Sequence, residues 1–185
     1  AHFTTLASFL ALSNQRNDEF GGDLSDRMTL PLMVLREVRN SIGPEYTLGV
    51  RINGEDFTKK GNTLLHSRQI ALVLASQHID YLSVSAGERF EDAYPPPEGE
   101  PPRPGTGYSG ARMSPRWWSP DGAQVHLAKG IRSTLRDAGY ALPVVTAGKI
   151  RTPQLAEEIL SHGHADIIGV ARALFADPDW PQKAR

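Results

Sequence analysis

The sequence predicts an α/β protein built on a parallel sheet. Three observations point there. Strand-like apolar runs alternate with helical patterns along the 185 residues, the order that yields consecutive βα units. The run TLGVRIN (47–53) ends on a cation, Arg51, and ADIIGVARALFADPDW (165–180) carries Arg172. Both strands otherwise look buried, so each places a fixed positive charge at a carboxyl end, where α/β barrels build their active sites. Two such charges suggest an anionic, partly planar ligand.

The elements follow in order. A helix is expected from near Ser25 to Ile42, ending at Gly43-Pro44, with Pro31 marking a later start or a kink. A strand over 46–52 comes next. Thr63 caps a helix over 64–77, and a strand spans 80–85. Asp121 caps a helix through about Ala138. A strand over 143–147 leads to Gly148. Thr152-Pro153 then gives a cap with proline at the first helical position, and that helix runs to Ser161. A last strand over 165–171 precedes a short helix near Leu174. Four strands fit two architectures: an open sheet, or half of a (β/α)8 barrel, which needs about 250 residues.

Residues 88–120 break the pattern. They hold more than half of the chain's 14 prolines. Such a long insertion is expected to be functional or disordered. A partly ordered loop over the mouth is the reading here, because Tyr94, Tyr108, Trp117 and Trp118 give it something to bury.

Composition excludes several classes. A net charge of −1 gives no bulk attraction to nucleic acid or an anionic membrane. No apolar run approaches the ~20 residues of a membrane helix, and no signal peptide is visible. Without cysteine there is no disulfide and no thiolate metal site. A cytoplasmic protein acting on a small molecule is expected. No GxGxxG follows a strand, and GxxxxGK[ST] and GxSxG are absent, against a Rossmann domain, a P-loop and an α/β hydrolase.

Arg51 shares a strand face with Gly49 and Asn53, opposite Leu48, Val50 and Ile52. That puts it in the interior at the mouth, held by a neighbouring acid or by a ligand. Gly148 ends a strand where backbone can approach a ligand closely. With Arg172 on the next strand it suggests a phosphate site of the kind barrels form after strands seven and eight. His2 follows what would be a strand end, and alone it reads as structural or exposed. His66, His78, His126, His162 and His164 read as surface or packing residues. Asp18, Glu19 and Asp26 near Gly21-Gly22 lack the spacing of an EF-hand.

These residues resemble a known family. AHFTTLASFLALSNQRNDEFGGDLSDRM is similar to the pattern AHGYLxxxFLSPxxNxRxDEYGGSxENRM. VRIN, SVSAG, VVTAGKI, TPQLAEEIL and ADIIGVARALFADPDWP follow in the family's order. The pattern is that of Old Yellow Enzyme-like NADH:flavin oxidoreductases, including the 2,4-dienoyl-CoA reductase and trimethylamine dehydrogenase branches. The resemblance implies that residues 1–185 are part of an FMN-binding (β/α)8 TIM barrel, strands five to eight, with a Pro-rich insertion at about 88–120. The remainder of the barrel would lie in the same chain or a partner chain. It implies FMN as cofactor and NAD(P)H as reductant, with hydride passed to an activated alkene or another oxidised substrate. Arg51 would contact the flavin pyrimidine, and Ala147, Gly148, Lys149, Ala171 and Arg172 would form the FMN phosphate site. His2 would hold the substrate carbonyl, and Arg89 would fall near substrate. Thr4 stands where the family has its proton-donating tyrosine, and a threonine hydroxyl is a far weaker acid than a phenol of pKa ~10. Solvent, Thr5 or a residue of the long loop would then supply the proton, or the reaction would differ from alkene reduction. The rival expectations are a flavin-free phosphate-binding barrel such as an aldolase or isomerase, and a non-catalytic half barrel.

Overall fold

The computed structural model describes residues 5–58, 60–88 and 107–183. His2, Thr4, Arg89 and Tyr94 lie outside them, as does the side chain of Tyr108. Two helices lead, α1 (Thr5–Leu10) and α2 (Leu24–Ile42). Then come β1 (Gly49–Asn53), α3 (Leu64–Ala75) and β2 (Tyr81–Ser85). The insertion ends in α4 (Gly107–Met113). The rest is α5 (Val125–Asp137), β3 (Val144–Ala147), α6 (Pro153–Ser161), β4 (Ile167–Gly169), α7 (Arg172–Ala176) and α8 (Trp180–Lys183).

The four strands form one parallel sheet in sequence order. Parallel neighbours need a crossover, and α3, α5 and α6 supply it. Register separates two faces. Val50, Ile52, Leu82, Val84, Val144 and Thr146 share one, through the pairs Val50–Leu82, Ile52–Val84 and Leu82–Val144. Against it pack Ile70, Ala71 and Leu74 of α3 and Leu127, Ile131 and Leu135 of α5, all buried. Burying such side chains contributes about 1.5–3 kcal/mol each, so this face anchors the fold. Arg51, Ser83, Val145 and Ile167 line the opposite face. That face is open: Arg51 is exposed and Ile167 is 46% exposed.

Helix ends follow the sequence in two cases. Thr63 caps α3 in a reciprocal box with the His66 ring. The Thr152 hydroxyl accepts from the Leu155 amide, with Pro153 at the start of α6. α2 runs through Pro31 without a break. Asp121 does not cap α5. The cap is Gln124, and residues 121–124 form a turn. Asp121 is drawn away by Arg151, at 2.9 Å, and by Lys149.

A clamp occurs twice. Arg39, near the end of α2, donates to the Gly43 and Tyr46 carbonyls and to Asp80, just before β2. Asp80 also accepts the Leu48 amide at 2.6 Å. Arg136, near the end of α5, donates to the Tyr140 and Leu142 carbonyls and to Asp166, just before β4. Asp166 accepts the Val144 amide at 2.9 Å. Both halves of the sheet therefore fix strand entry by the same device.

The block NQRNDEFGG also folds as a unit. Asn14 Nδ2 donates to the carbonyls of Phe9 and Phe20, at 2.9 and 2.7 Å. Arg16 pairs with Asp18 and lies over both the Phe9 and Phe20 rings. A Cβ at Gly21 would overlap the Arg16 carbonyl, so glycine is required there. The most recognisable motif of the chain thus closes a turn ahead of α2.

Candidate functional site

The open face of the sheet leads into a cleft of 810 Å3 at the carboxyl ends of the strands. Arg51, Ala147, Gly148, Lys149, Ala171 and Arg172 all line it. The sequence scatters these six over 122 positions (172 minus 50, counting both ends), and the parallel order brings them to one place. Arg51 is exposed here and not enclosed as expected.

Gly148 and Lys149 make a left-handed turn, with φ of 116° and 55°. A Cβ at Gly148 would stand 2.9 Å from Gln124 Cδ. Conformation and packing both demand glycine there, which leaves the turn's backbone bare. Gly169 is the last residue of β4, with Ala147 Cβ 3.0 Å from where its own would stand. Two bare backbone turns beside fixed guanidinium groups suit a phosphate: planar Arg forks and backbone N–H groups are its usual donors. Arg172 belongs to α7, three residues beyond the strand. Its Nη1 donates to the Pro115 carbonyl at 3.0 Å, one of the five donors a guanidinium carries.

The Lys149 ammonium is not directed at the cleft. It donates to the Trp117 carbonyl at 2.7 Å and to the Ser119 carbonyl, with Asp121 at 3.7 Å. Its backbone, and not its side chain, is what the turn presents. Asp121 sits below the usual carboxylate range, chiefly through its hydrogen bond from Arg151.

Residues 107–119 cross the mouth as a strap. At one end Ser109 Oγ is buried, donates to the Asp56 carbonyl at 2.6 Å and accepts the Glu88 amide. Arg112 lies over the Phe57 ring, 5.0 Å from its centre. At the other end Arg172 and Lys149 hold the carbonyls of Pro115, Trp117 and Ser119. The tryptophans were expected to bury themselves against the mouth. Instead Trp117 is 85% exposed and Trp118 is 63% exposed, because the strap is fastened by its backbone. Gln124 and Arg116 line the cleft and were not singled out from sequence. The WW pair beside a basic residue was the available signal.

His2, Thr4 and Arg89 cannot be placed against this cleft, since they fall outside the described residues. Among the described residues no group of His, Asp or Glu could hold a metal. His162 and His164 stack on each other, and His162 Nδ1 also meets the Glu158 carbonyl at 2.7 Å. No described helix is long and apolar enough to cross a membrane.

A family model described as "NADH:flavin oxidoreductase / NADH oxidase family" matches residues 5–109 and 113–185. The chain is 34% identical to an NADH oxidase of Thermoanaerobacter brockii over 186 aligned positions, covering 100% of the chain and 25% of that protein. It is 32% identical to an NADPH dehydrogenase of Halalkalibacterium halodurans, covering 100% of the chain and 46% of that protein. The structure of a 2-naphthoyl-CoA reductase with 2-naphthoyl-CoA superposes with a TM-score of 0.76 at 26% identity, over 96% of this chain and 24% of that one. Histamine dehydrogenase from Rhizobium sp. 4-9 gives a TM-score of 0.72 at 25% identity, over 96% and 22%. The chain thus spans between 22% and 46% of the length of these relatives.

Proposed function

This chain belongs to the NADH:flavin oxidoreductase / NADH oxidase family, and on that footing we propose that its cleft is the phosphate end of an FMN site. The observation that carries the reading is the meeting of Arg51, Ala147, Gly148, Lys149, Ala171 and Arg172 in one cavity. When bound, FMN supplies hydride transfer from NAD(P)H to an oxidised acceptor.

The residues take these roles. Arg172 pairs with the phosphate through guanidinium donors that Pro115 leaves available. The turns at 147–149 and 169–171 offer backbone N–H groups to its remaining oxygens. Arg51, on the same open face, lies against the pyrimidine edge, where its charge stabilises negative charge on the ring. His2 holds the substrate's activating carbonyl, Arg89 binds substrate, and Thr4 lies beside the carbon to be protonated. Since Thr4 is no acid, the proton comes from solvent or another side chain. An activated alkene, such as an enone or enoyl thioester, is the substrate class this arrangement fits.

We also read the sheet as strands five to eight of a (β/α)8 barrel in a cytoplasmic protein. Ile167 and Arg51 on the open face, with β1 and β4 at the sheet edges, support a missing second half. The 185 residues alone would then be inactive. Purification of the full-length protein tests the reading. A flavin absorbance band that NADH or NADPH bleaches is the expected result. A colourless protein that binds other phosphate esters would instead favour a flavin-free barrel.

A further inference from the structure

Building on the flavin-site reading, we infer that Lys149 is a positioning residue for the cofactor phosphate. Its ammonium pins the turn after β3 to the strap, and so keeps the turn's backbone N–H groups open to the ligand. Lys149 has φ of 55°, a left-handed conformation that glycine adopts freely and that a residue with a Cβ resists. Such a residue persists only where its surroundings hold it there, and such residues gather at ligand sites. Gly148, just before it, is left-handed as well, at φ of 116°. A second glycine would make this turn with less strain, so the lysine side chain is kept for what it touches.

That side chain is 9% exposed. A buried ammonium needs acceptors for its three donors. It donates to the Trp117 carbonyl at 2.7 Å and to the Ser119 carbonyl, and Asp121 stands at 3.7 Å. All three partners lie in residues 117–121. The main chain of Lys149 is held from beside the same segment, since its carbonyl accepts the Gly122 amide at 3.1 Å. Two residues on, the Arg151 carbonyl accepts Trp180 Nε1 at 2.9 Å. The acceptor loop is itself stiff. The Arg116 amide donates to Ser119 Oγ at 3.0 Å, and the Ser119 amide donates to the Arg116 carbonyl at 3.1 Å. Gln124, packed where a Gly148 Cβ would stand, donates to the Arg112 carbonyl at 2.5 Å. The ammonium therefore acts on the phosphate through the backbone it fixes. Without it the turn can leave the left-handed region and withdraw its N–H groups, and the strap loses the bonds to two of its carbonyls.

The test compares full-length apoprotein with its Lys149→Met and Lys149→Gly variants, each titrated with FMN and with riboflavin by flavin fluorescence. Methionine keeps most of the stem and removes the charge. Glycine removes the whole side chain but takes the left-handed turn freely. Both lose the charge, so the difference between them isolates the backbone. Hydrogen exchange read by mass spectrometry follows residues 107–119 in all three proteins. Lys149→Met should weaken FMN binding roughly 5- to 30-fold, the factor equivalent to the left-handed preference of one residue, with riboflavin binding unchanged. Lys149→Gly should bind FMN more tightly than Lys149→Met. The strap amides should exchange faster in both variants than in the parent. FMN affinity in Lys149→Met equal to the parent's would overturn the inference. Equal weakening in the two variants would also overturn it, by making the charge itself the phosphate's partner. An equal loss toward FMN and riboflavin would reduce Lys149 to a support of the fold, and unchanged strap exchange would deny the pin. A parent that binds riboflavin as tightly as FMN would overturn the flavin-site reading, and the inference with it; every other result leaves that reading standing.

Discussion

Replacing Asp166 by Asn should destabilise the protein by about 2–3 kcal/mol. Asp166 accepts Arg132 Nε at 3.0 Å, Arg136 Nη2 at 2.9 Å and the Val144 amide at 2.9 Å. Asparagine keeps one oxygen for the amide but loses both ionic attractions. A hydrogen bond to a charged group contributes about 1.5–3 kcal/mol when sheltered and under ~1 when exposed. Asp166 is 22% exposed and its arginines 25% and 31%, so about 1–1.5 kcal/mol each is the working figure. The expected fall in melting temperature is about 4–12 °C for a domain of this size. The effect should depend on pH. Burial alone would raise the Asp166 carboxyl, but the Val144 amide, Arg132 and Arg136 outweigh it and hold it below the usual range. A carboxyl depressed in the folded state adds stability above its unfolded pKa and loses it as pH falls through the folded value. The gap between parent and variant should therefore be full above pH ~5 and close well below pH ~4. Asp80→Asn is the control. Its carboxylate is 45% exposed and meets one arginine, so a clearly smaller effect is expected. Thermal melts followed by circular dichroism at neutral and acid pH decide the matter. A gap that persists at low pH, or an Asp80 effect as large as that of Asp166, would refute the reasoning.

Gly148→Ala should cost about 1–3 kcal/mol, from a left-handed backbone and a Cβ 2.9 Å from Gln124. Chemical denaturation reads that cost, and flavin release on dilution should quicken in the same variant. Thr4→Val should leave enone turnover within about threefold, whereas Thr4→Tyr should raise it, since a positioned acid contributes ~10²–10⁴-fold. Stopped-flow reoxidation by an enone measures both. A hundredfold loss in Thr4→Val would make that hydroxyl the working acid.

The sheet and its crossovers were legible because local signals agreed with global ones. Thr63 and Thr152-Pro153 start helices where their chemistry says they should, and buried runs such as VVTA became strands. Asp121 misled because an acid ahead of an apolar helix reads as a cap, while its actual partner, Arg151, lies 30 residues on. The paired clamps were invisible for the same reason. Arg39 and Asp80 are 41 residues apart, Arg136 and Asp166 30, and only the fold makes them neighbours. Arg51, Gly148 and Arg172 could be named from the strand ends, whereas Ala147, Lys149 and Ala171 came only from the resemblance to the family. Trp117 and Trp118 were noticed but misread. Aromatic composition alone cannot tell a side chain that buries itself from one held out by its backbone.

The central claim is that Arg172 and its neighbouring turns hold the phosphate of FMN. The direct measurement compares FMN with riboflavin, which lacks the phosphate, for the full-length protein and its Arg172→Ala variant. Apoprotein titrated by flavin fluorescence gives the four dissociation constants. The account predicts that the parent prefers FMN and that the variant loses about 1.5–3 kcal/mol toward FMN alone, roughly 10- to 150-fold, with riboflavin binding unchanged. Equal FMN affinity in parent and variant, or an equal loss toward riboflavin, would contradict it.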